Sequence, residues 1–367
     1  MNINYTHTGI SLFSGMGGDT LGMSLASVKV VAYSEKEKYI QQTHQLNFPN
    51  SKLIGNGNII TTSNEELETY KNKIHFIFAG FPCQGFSQAG KKLPDDPRNT
   101  LFREFVRATK IINPHIIIGE NVKGLLNKKT AKSEKYIDVI TNEFVKLNYN
   151  VIYKINKCES YGIPQKRERI IIIGIRNDVL NLYNLSFPEI NTVSVSINKL
   201  IDHSDITHCT KINKNIINMY PFEKNCIHIP IENSASEKEQ HPYIVSKINS
   251  ESTKKTYNGK IHNSLFSYGK RDSPLHCEIV NFNNPSKTII CTYGHQPRLV
   301  VPIIKTNDKN EIIEQYIRCF NTTELKRIQS FPKSYKLNGN VKQQIIQIGN
   351  AVPPLLIYKI VKHILNK

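Results

Sequence analysis

The chain has 367 residues, of which 48 are Lys or Arg and 30 are Asp or Glu, a formal net charge of +18. That length buries a sizeable core, fits one large domain plus a smaller one and excludes a disordered tail; the charge points to a polyanionic partner, nucleic acid before any other, although a chain rich in Lys, Asn and Ile owes part of it to coding bias. Seven widely spaced cysteines with no CxxC pair speak against a disulfide framework or zinc ribbon, and no run approaches the ~20 apolar residues that span a bilayer or a signal peptide's basic-then-apolar start, so the chain reads as soluble and cytoplasmic.

In chain order, short apolar runs at 9–13, 28–33, 74–79, 116–119, 151–155 and 170–175 predict six strands of a doubly wound α/β sheet. Between them, 100–112 and 133–147 carry apolar residues at helical spacing. Residues 178–283 are rich in Asn, Ser, Thr and His, with short β-prone pieces and no clear period, and read as an irregular smaller domain. Helical patterning returns at 322–329 and 343–348, and a last helix is predicted over 354–365, opened by Pro354. The charge is uneven: 1–177 and 284–367 each carry +9, while 178–283 is neutral. Generic phosphate attraction therefore belongs to the flanks, and the middle is better suited to specific contacts.

Chemistry-bearing residues recur at the ends of the predicted strands. The first ends in Phe13-Ser14-Gly15-Met16-Gly17-Gly18, a glycine turn that lets a nucleotide-like ligand approach the backbone, without the GxGxxG spacing of a dinucleotide site. Glu35 follows the second strand, where an acid can accept hydrogen bonds from ribose hydroxyls. The third leads into Gly80-Phe81-Pro82-Cys83-Gln84-Gly85-Phe86-Ser87, which presents Cys83 on a proline loop. Glu120 follows the fourth, and Gln165-Lys166-Arg167-Glu168-Arg169 places two arginines on one side of an extended segment. Each has a plain alternative: a packing glycine turn, a solvated carboxylate, a loop cysteine, surface charge. Four such features at successive strand ends are harder to obtain by chance.

These segments, with Glu120-Asn121-Val122 and Gln347-Ile348-Gly349-Asn350-Ala351-Val352-Pro353-Pro354, resemble in order and spacing the motifs of DNA cytosine-5 methyltransferases. The resemblance covers roughly 1–177 and 284–360. It implies a Rossmann-like S-adenosylmethionine-dependent methyltransferase sheet, 1–177 plus 335–367, and a smaller irregular target-recognition domain, 178–334, with its variable core at 178–283. Cys83 is then the thiolate that adds to carbon 6 of cytosine, Glu120 the acid at ring nitrogen 3, its pKa raised in an enclosed pocket, and Arg167 the group that holds the base, with Arg169 and Ser87 beside it. Phe13, Gly15, Gly17, Gly18, Glu35, Pro82, Leu101, Asn350, Ala351 and Val352 line the cofactor pocket. Two departures stand out: Lys36 replaces a usual aromatic, and Asn58 replaces an aspartate near the adenine amino group, so weaker cofactor binding is expected.

The implied partner is double-stranded DNA with the target base flipped out. Gln84, Lys91, Lys92 and Arg98 lie on or beside the loop that follows the nucleophile and are expected at the DNA, as are Arg271, Gln296 and Arg298 at base edges. The product is S-adenosylhomocysteine, no metal is called for, the chain is expected to act as a monomer, and a restriction endonuclease is its expected functional counterpart. The nearest rival is a tRNA cytosine-5 methyltransferase, disfavoured by Phe86-Ser87 where the RNA branch tends to carry Phe-Thr. A catalytically silent DNA-binding regulator would have no need of Cys83, Glu120 and Arg167 together.

Overall fold

The computed structural model describes all residues except 1–3, 83–100, 131–132, 191–194, 207, 212–225, 230–254, 258–259, 263–264, 268–275 and 295–296. The chain forms two compact units, one of Met1–Val193, Gln329–Asn338 and Ala351–Lys367, the other of Ser194–Ile328 and Gly339–Asn350. The first thus extends past the expected boundary at 177, because Val179 and Tyr183 are buried in its core, and its C-terminal part is interrupted by a helix that belongs to the second.

The first unit is built on a seven-stranded sheet. Its strands are β1 (His7–Leu12), β2 (Val28–Tyr33), β3 (Lys52–Leu53), β4 (Phe76–Ala79), β5 (Ile116–Val122), β6 (Tyr149–Lys157) and β7 (Glu168–Arg176), in the order β3-β2-β1-β4-β5-β7-β6. The first five run parallel, and β7 lies antiparallel between β5 and β6. Helices α1 (Gly18–Leu25), α2 (Lys38–Asn47) and α3 (Asn64–Glu68) come between β1 and β4 in the chain, and period-2 side chains split the core between the two faces. Ile10, Leu12, Ile77, Ala79, Ile117, Ile170 and Ile172 pack on one side, against Phe105 and Ala108 of α4 (Phe102–Ile112) and Ile140 and Phe144 of α5 (Tyr136–Lys146). Phe76, Phe78, Ile116, Ile118, Ile171 and Ile173 pack on the other with Ile357, Ile360 and Ile364 of the C-terminal helix, Pro354–Leu365. Burial on both faces is why β5 and β7 read as isoleucine runs.

Each of the six apolar runs overlaps one strand, the first overshooting it at Phe13 and the third preceding it by Ile74 and His75. The seventh strand, β3, has two residues, too few to show a pattern. Strand order reverses at β1, whose neighbours are β2 and β4, so the crevice for a ligand opens at the carboxyl ends of β1 and β4.

The second unit holds a six-stranded sheet centred on the antiparallel pair Leu299–Thr306 and Ile312–Cys319. Behind this pair, Arg318 and Glu324 form an ion pair at 2.7 Å with both side chains 1% exposed. Arg318 also donates to the carbonyls of Asp202, Asp205 and Cys319. The reading of this segment as irregular thus meets an ordered sheet of mostly short strands.

Candidate active site

After β1 the backbone turns through three positive φ angles, Phe13 at 55°, Gly15 at 55° and Gly17 at 88°. The turn is pinned from β2: the Phe13 amide donates to Ser34 Oγ at 3.2 Å and the Ser14 amide to the Ser34 carbonyl at 2.9 Å. Gly18 then opens α1 (Gly18–Leu25), where a Cβ would lie 2.0 Å from the Val352 carbonyl oxygen, so glycine here is demanded by a backbone that approaches from the far end of the chain. Gly15 is different: a Cβ there would meet nothing within 4 Å. Its amide donates to Glu35 Oε2 at 3.0 Å, while the Glu37 amide donates to Oε1 at 2.9 Å. Burial holds the Glu35 carboxyl above its usual range, and those two donors pull the other way.

An adenosylmethionine fits these groups. The open side of Gly15 leaves room against the backbone, and each Glu35 oxygen keeps a lone pair for a ribose hydroxyl. Asn58 departs from expectation: its amide oxygen accepts from the Ile60 amide at 3.2 Å and caps the 3₁₀ turn Ile59–Thr61. A shared oxygen is a poorer acceptor for an adenine amino group than the unshared one the sequence led us to expect. Lys36 is exposed.

The second cluster lies where β5 and β7 leave the sheet. Glu120 Oε1 and Arg169 Nε are 2.8 Å apart, with the two side chains 12% and 14% exposed. The acid is buried and faces a guanidinium, a charge-assisted contact. Arg167 does not join that pair. Fully buried just before β7, it donates from a terminal guanidinium nitrogen to the Ala351 carbonyl at 3.1 Å. The two arginines thus serve different partners.

Asn121, quoted in a motif but given no task, ties this cluster to the cysteine loop: its amide donates to the Phe81 carbonyl at 3.1 Å, two residues before Cys83. Ser34 and Asp19 were likewise missed. Asp19 is buried in the first turn of α1 and accepts from the Ser11 hydroxyl, and burial pushes its pKa up to about 7. Nothing local marks these three residues, because their partners come from other strands. Cys158, a second thiol of this region, is fully buried and its pKa is pushed up to about 11 by burial, against the pull of Arg167 and Arg169. It stays a thiol at neutral pH.

Of the other expected residues, half-buried Pro82 follows β4 and half-buried Leu101 precedes α4. Ala351 and Val352 belong to the first unit, whereas Asn350 ends the helix Val341–Asn350 of the second. Arg298 is half-buried in the second unit, its carbonyl accepting from the Glu278 amide at 2.7 Å. Cys83, Gln84, Ser87, Lys91, Lys92, Arg98, Arg271 and Gln296 lie outside the described residues.

A family model described as C-5 cytosine-specific DNA methylase matches residues 7–366. The type II methyltransferase M.Eco47II of Escherichia coli is 30% identical, over 99% of this chain and 81% of its own length. M.DdeI of Desulfomicrobium norvegicum is 31% identical, over 95% of this chain and 86% of its own. Among solved structures, one described as a DNA modification methyltransferase encoded within an E. coli prophage covers 99% of this chain and 100% of its own at TM-score 0.62 and 21% identity. DNMT2 of Spodoptera frugiperda covers 97% and 99% at TM-score 0.62 and 18% identity. At such identities the likeness is one of fold.

Proposed function

Because the chain belongs to the C-5 cytosine-specific DNA methylase family and is a DNA (cytosine-5-)-methyltransferase, we propose that it methylates a flipped-out cytosine within a short duplex sequence through a covalent adduct to Cys83. What supports the mechanism is the convergence, at the carboxyl edge of one sheet, of Glu120, Arg169 and Arg167 with the Phe81-Pro82 segment that leads into Cys83.

Carbon 5 of cytosine is a weak nucleophile. In this reading the Cys83 thiolate adds to carbon 6, forming the S–C6 bond and moving the electron pair toward carbon 5. Negative charge then grows on the ring, and Glu120, protonated in the complex with the base, donates a hydrogen bond to ring nitrogen 3 while Arg169 orients the carboxyl. Arg167, held by the Ala351 carbonyl, is the group that positions the base in this reading. Glu35 and the turn from Phe13 to Gly18 hold S-adenosylmethionine, with Pro82, Leu101, Ala351 and Val352 as its wall; when bound it supplies an electrophilic methyl group and leaves as S-adenosylhomocysteine. Solvent water takes the carbon 5 proton, the C–H electron pair restores the C5–C6 double bond, and Cys83 leaves as thiolate.

The second unit supplies the sequence-reading surface in this proposal, and the type II relatives favour a role paired with a restriction endonuclease. Bisulfite sequencing of plasmid DNA from cells expressing the wild type and a Cys83→Ala variant tests the whole reading. Methylation at one repeated motif in the wild type alone is the expected result, and it names the target sequence. Unmarked DNA with a methylated tRNA would move the substrate to RNA.

A further inference from the structure

Beyond β5 the chain does not pass directly into α5. Residues Lys123–Asn127 form a 3₁₀ turn, and beyond it the described residues 128–130 and 133–136 pair with one another. The Tyr136 amide donates to the Lys128 carbonyl at 3.0 Å, the Thr130 amide to Glu134 at 2.8 Å and the Ser133 amide to Thr130 at 2.9 Å, while Lys129 and Lys135 pair across an antiparallel bridge. Both lysines are exposed.

Like charges directly opposite one another repel, so a short exposed turn built this way carries an electrostatic cost that an anion between the two ammonium groups removes. Lys123, at the head of the 3₁₀ turn, has its own counter-charge in Glu168 at 3.0 Å. Position narrows the choice of anion. The turn leaves the same sheet edge as Glu120, and nine residues, five of them in a 3₁₀ turn, put Lys129 at most ~24 Å along the chain from that acid.

We infer that Lys129 and Lys135 clamp a backbone phosphate of the DNA duplex flanking the target cytosine, an anchor separate from the loop after Cys83. The inference rests on the DNA methyltransferase reading. Its competitor is a solvated turn whose lysines only keep the surface soluble.

The test compares the wild type with a Lys129→Gln/Lys135→Gln double variant and a Lys129→Arg/Lys135→Arg control, using a labelled duplex that carries the motif found by bisulfite sequencing, titrated from 50 to 200 mM salt. The clamp predicts about tenfold weaker binding for the Gln pair and a slope of log K on log salt shallower by about 1 to 2. It also predicts an unchanged single-turnover methylation rate at saturating DNA, and near wild-type affinity for the Arg pair. The Gln pair should melt no lower than the wild type, since it relieves the repulsion. Affinity and slope equal to wild type in the Gln pair overturn the clamp, as does equal loss in the Arg pair. Those results leave the enzyme reading intact; a wild type that neither binds nor methylates DNA defeats that reading itself.

Discussion

Asp19 shows how a single side chain departs from what its neighbours in sequence announce. Its carboxyl is 1% exposed, accepts from Ser11, and has its pKa pushed up to about 7 by burial. A folded-state pKa above the unfolded 3.8 means the protonated form is the one that folding favours. Stability from this group is complete below pH 4 and is lost as pH rises toward 7. Three pKa units correspond to at most ~4 kcal/mol. Asp19→Asn should therefore melt higher than the wild type at pH 8, with the difference closing by pH 4; equal melting temperatures throughout would show an ordinary carboxylate. Arg169→Ala tests the other buried pair. Removing the group that orients Glu120 should slow single-turnover methyl transfer about a hundredfold while equilibrium binding of S-adenosylmethionine stays unchanged, because Glu35 and the turn from Phe13 to Gly18 follow β2 and β1, whereas Arg169 lies on β7. Lost cofactor binding would instead mark Arg169 as a structural member of the core. Cys83, Glu120 and Arg169 were legible as residues of motifs, but the pairing of Glu120 with Arg169 and of Arg167 with Ala351 was not, since an extended segment alone cannot say which partner each arginine meets.

The strands were legible as short apolar runs, of isoleucine in β5 and β7 where both faces are covered, and the C-terminal helix because Pro354 opens it. Expected over 133–147, α5 starts only at Tyr136, since 133–135 belong to the turn across which Lys129 meets Lys135. At the opposite, amino-terminal edge of the sheet, three strands bring a row of histidines together. The rings of His7 and His75 are 4.9 Å apart, as are those of His75 and His115, and His115 Nδ1 lies 2.8 Å from the Tyr183 hydroxyl. Burial lowers the pKa of all three histidines; mutual repulsion and Arg176 add to it at His115, with Asp178 acting the other way. His44, stacked on Tyr33, is lowered to about 3 by burial alone. Folded-state values below 6.5 leave these rings neutral in the fold, so their contribution is complete above pH 6.5 and is lost as pH falls below it. In an Asp19→Asn background, where the opposing carboxyl is removed, the melting temperature should drop between pH 7 and pH 5, and His115→Gln should shrink that drop; an identical drop in the variant would exonerate the row.

At the scale of the whole molecule, the net charge of +18 is either a phosphate-binding field or a by-product of composition, and salt separates the two. DNA affinity should fall at least about a hundredfold between 50 and 200 mM salt if four or more phosphates are contacted; a flat response in a binding titration would assign the charge to composition. The amino-acid sequence by itself determined the α/β class, six of the seven strands of the main sheet and the ordered motifs of a cytosine-5 methyltransferase. These are carried by local periodicity and by residue types that the chemistry demands. Only the tertiary structure decided that Gly18 must be glycine because Val352 crosses it, that Asn58 spends its oxygen on a cap, that Asn121 holds the cysteine loop and that residues 339–350 belong with the second unit. Each of these depends on chain segments far apart in sequence, and such contacts are set by packing, which no local pattern of residues encodes.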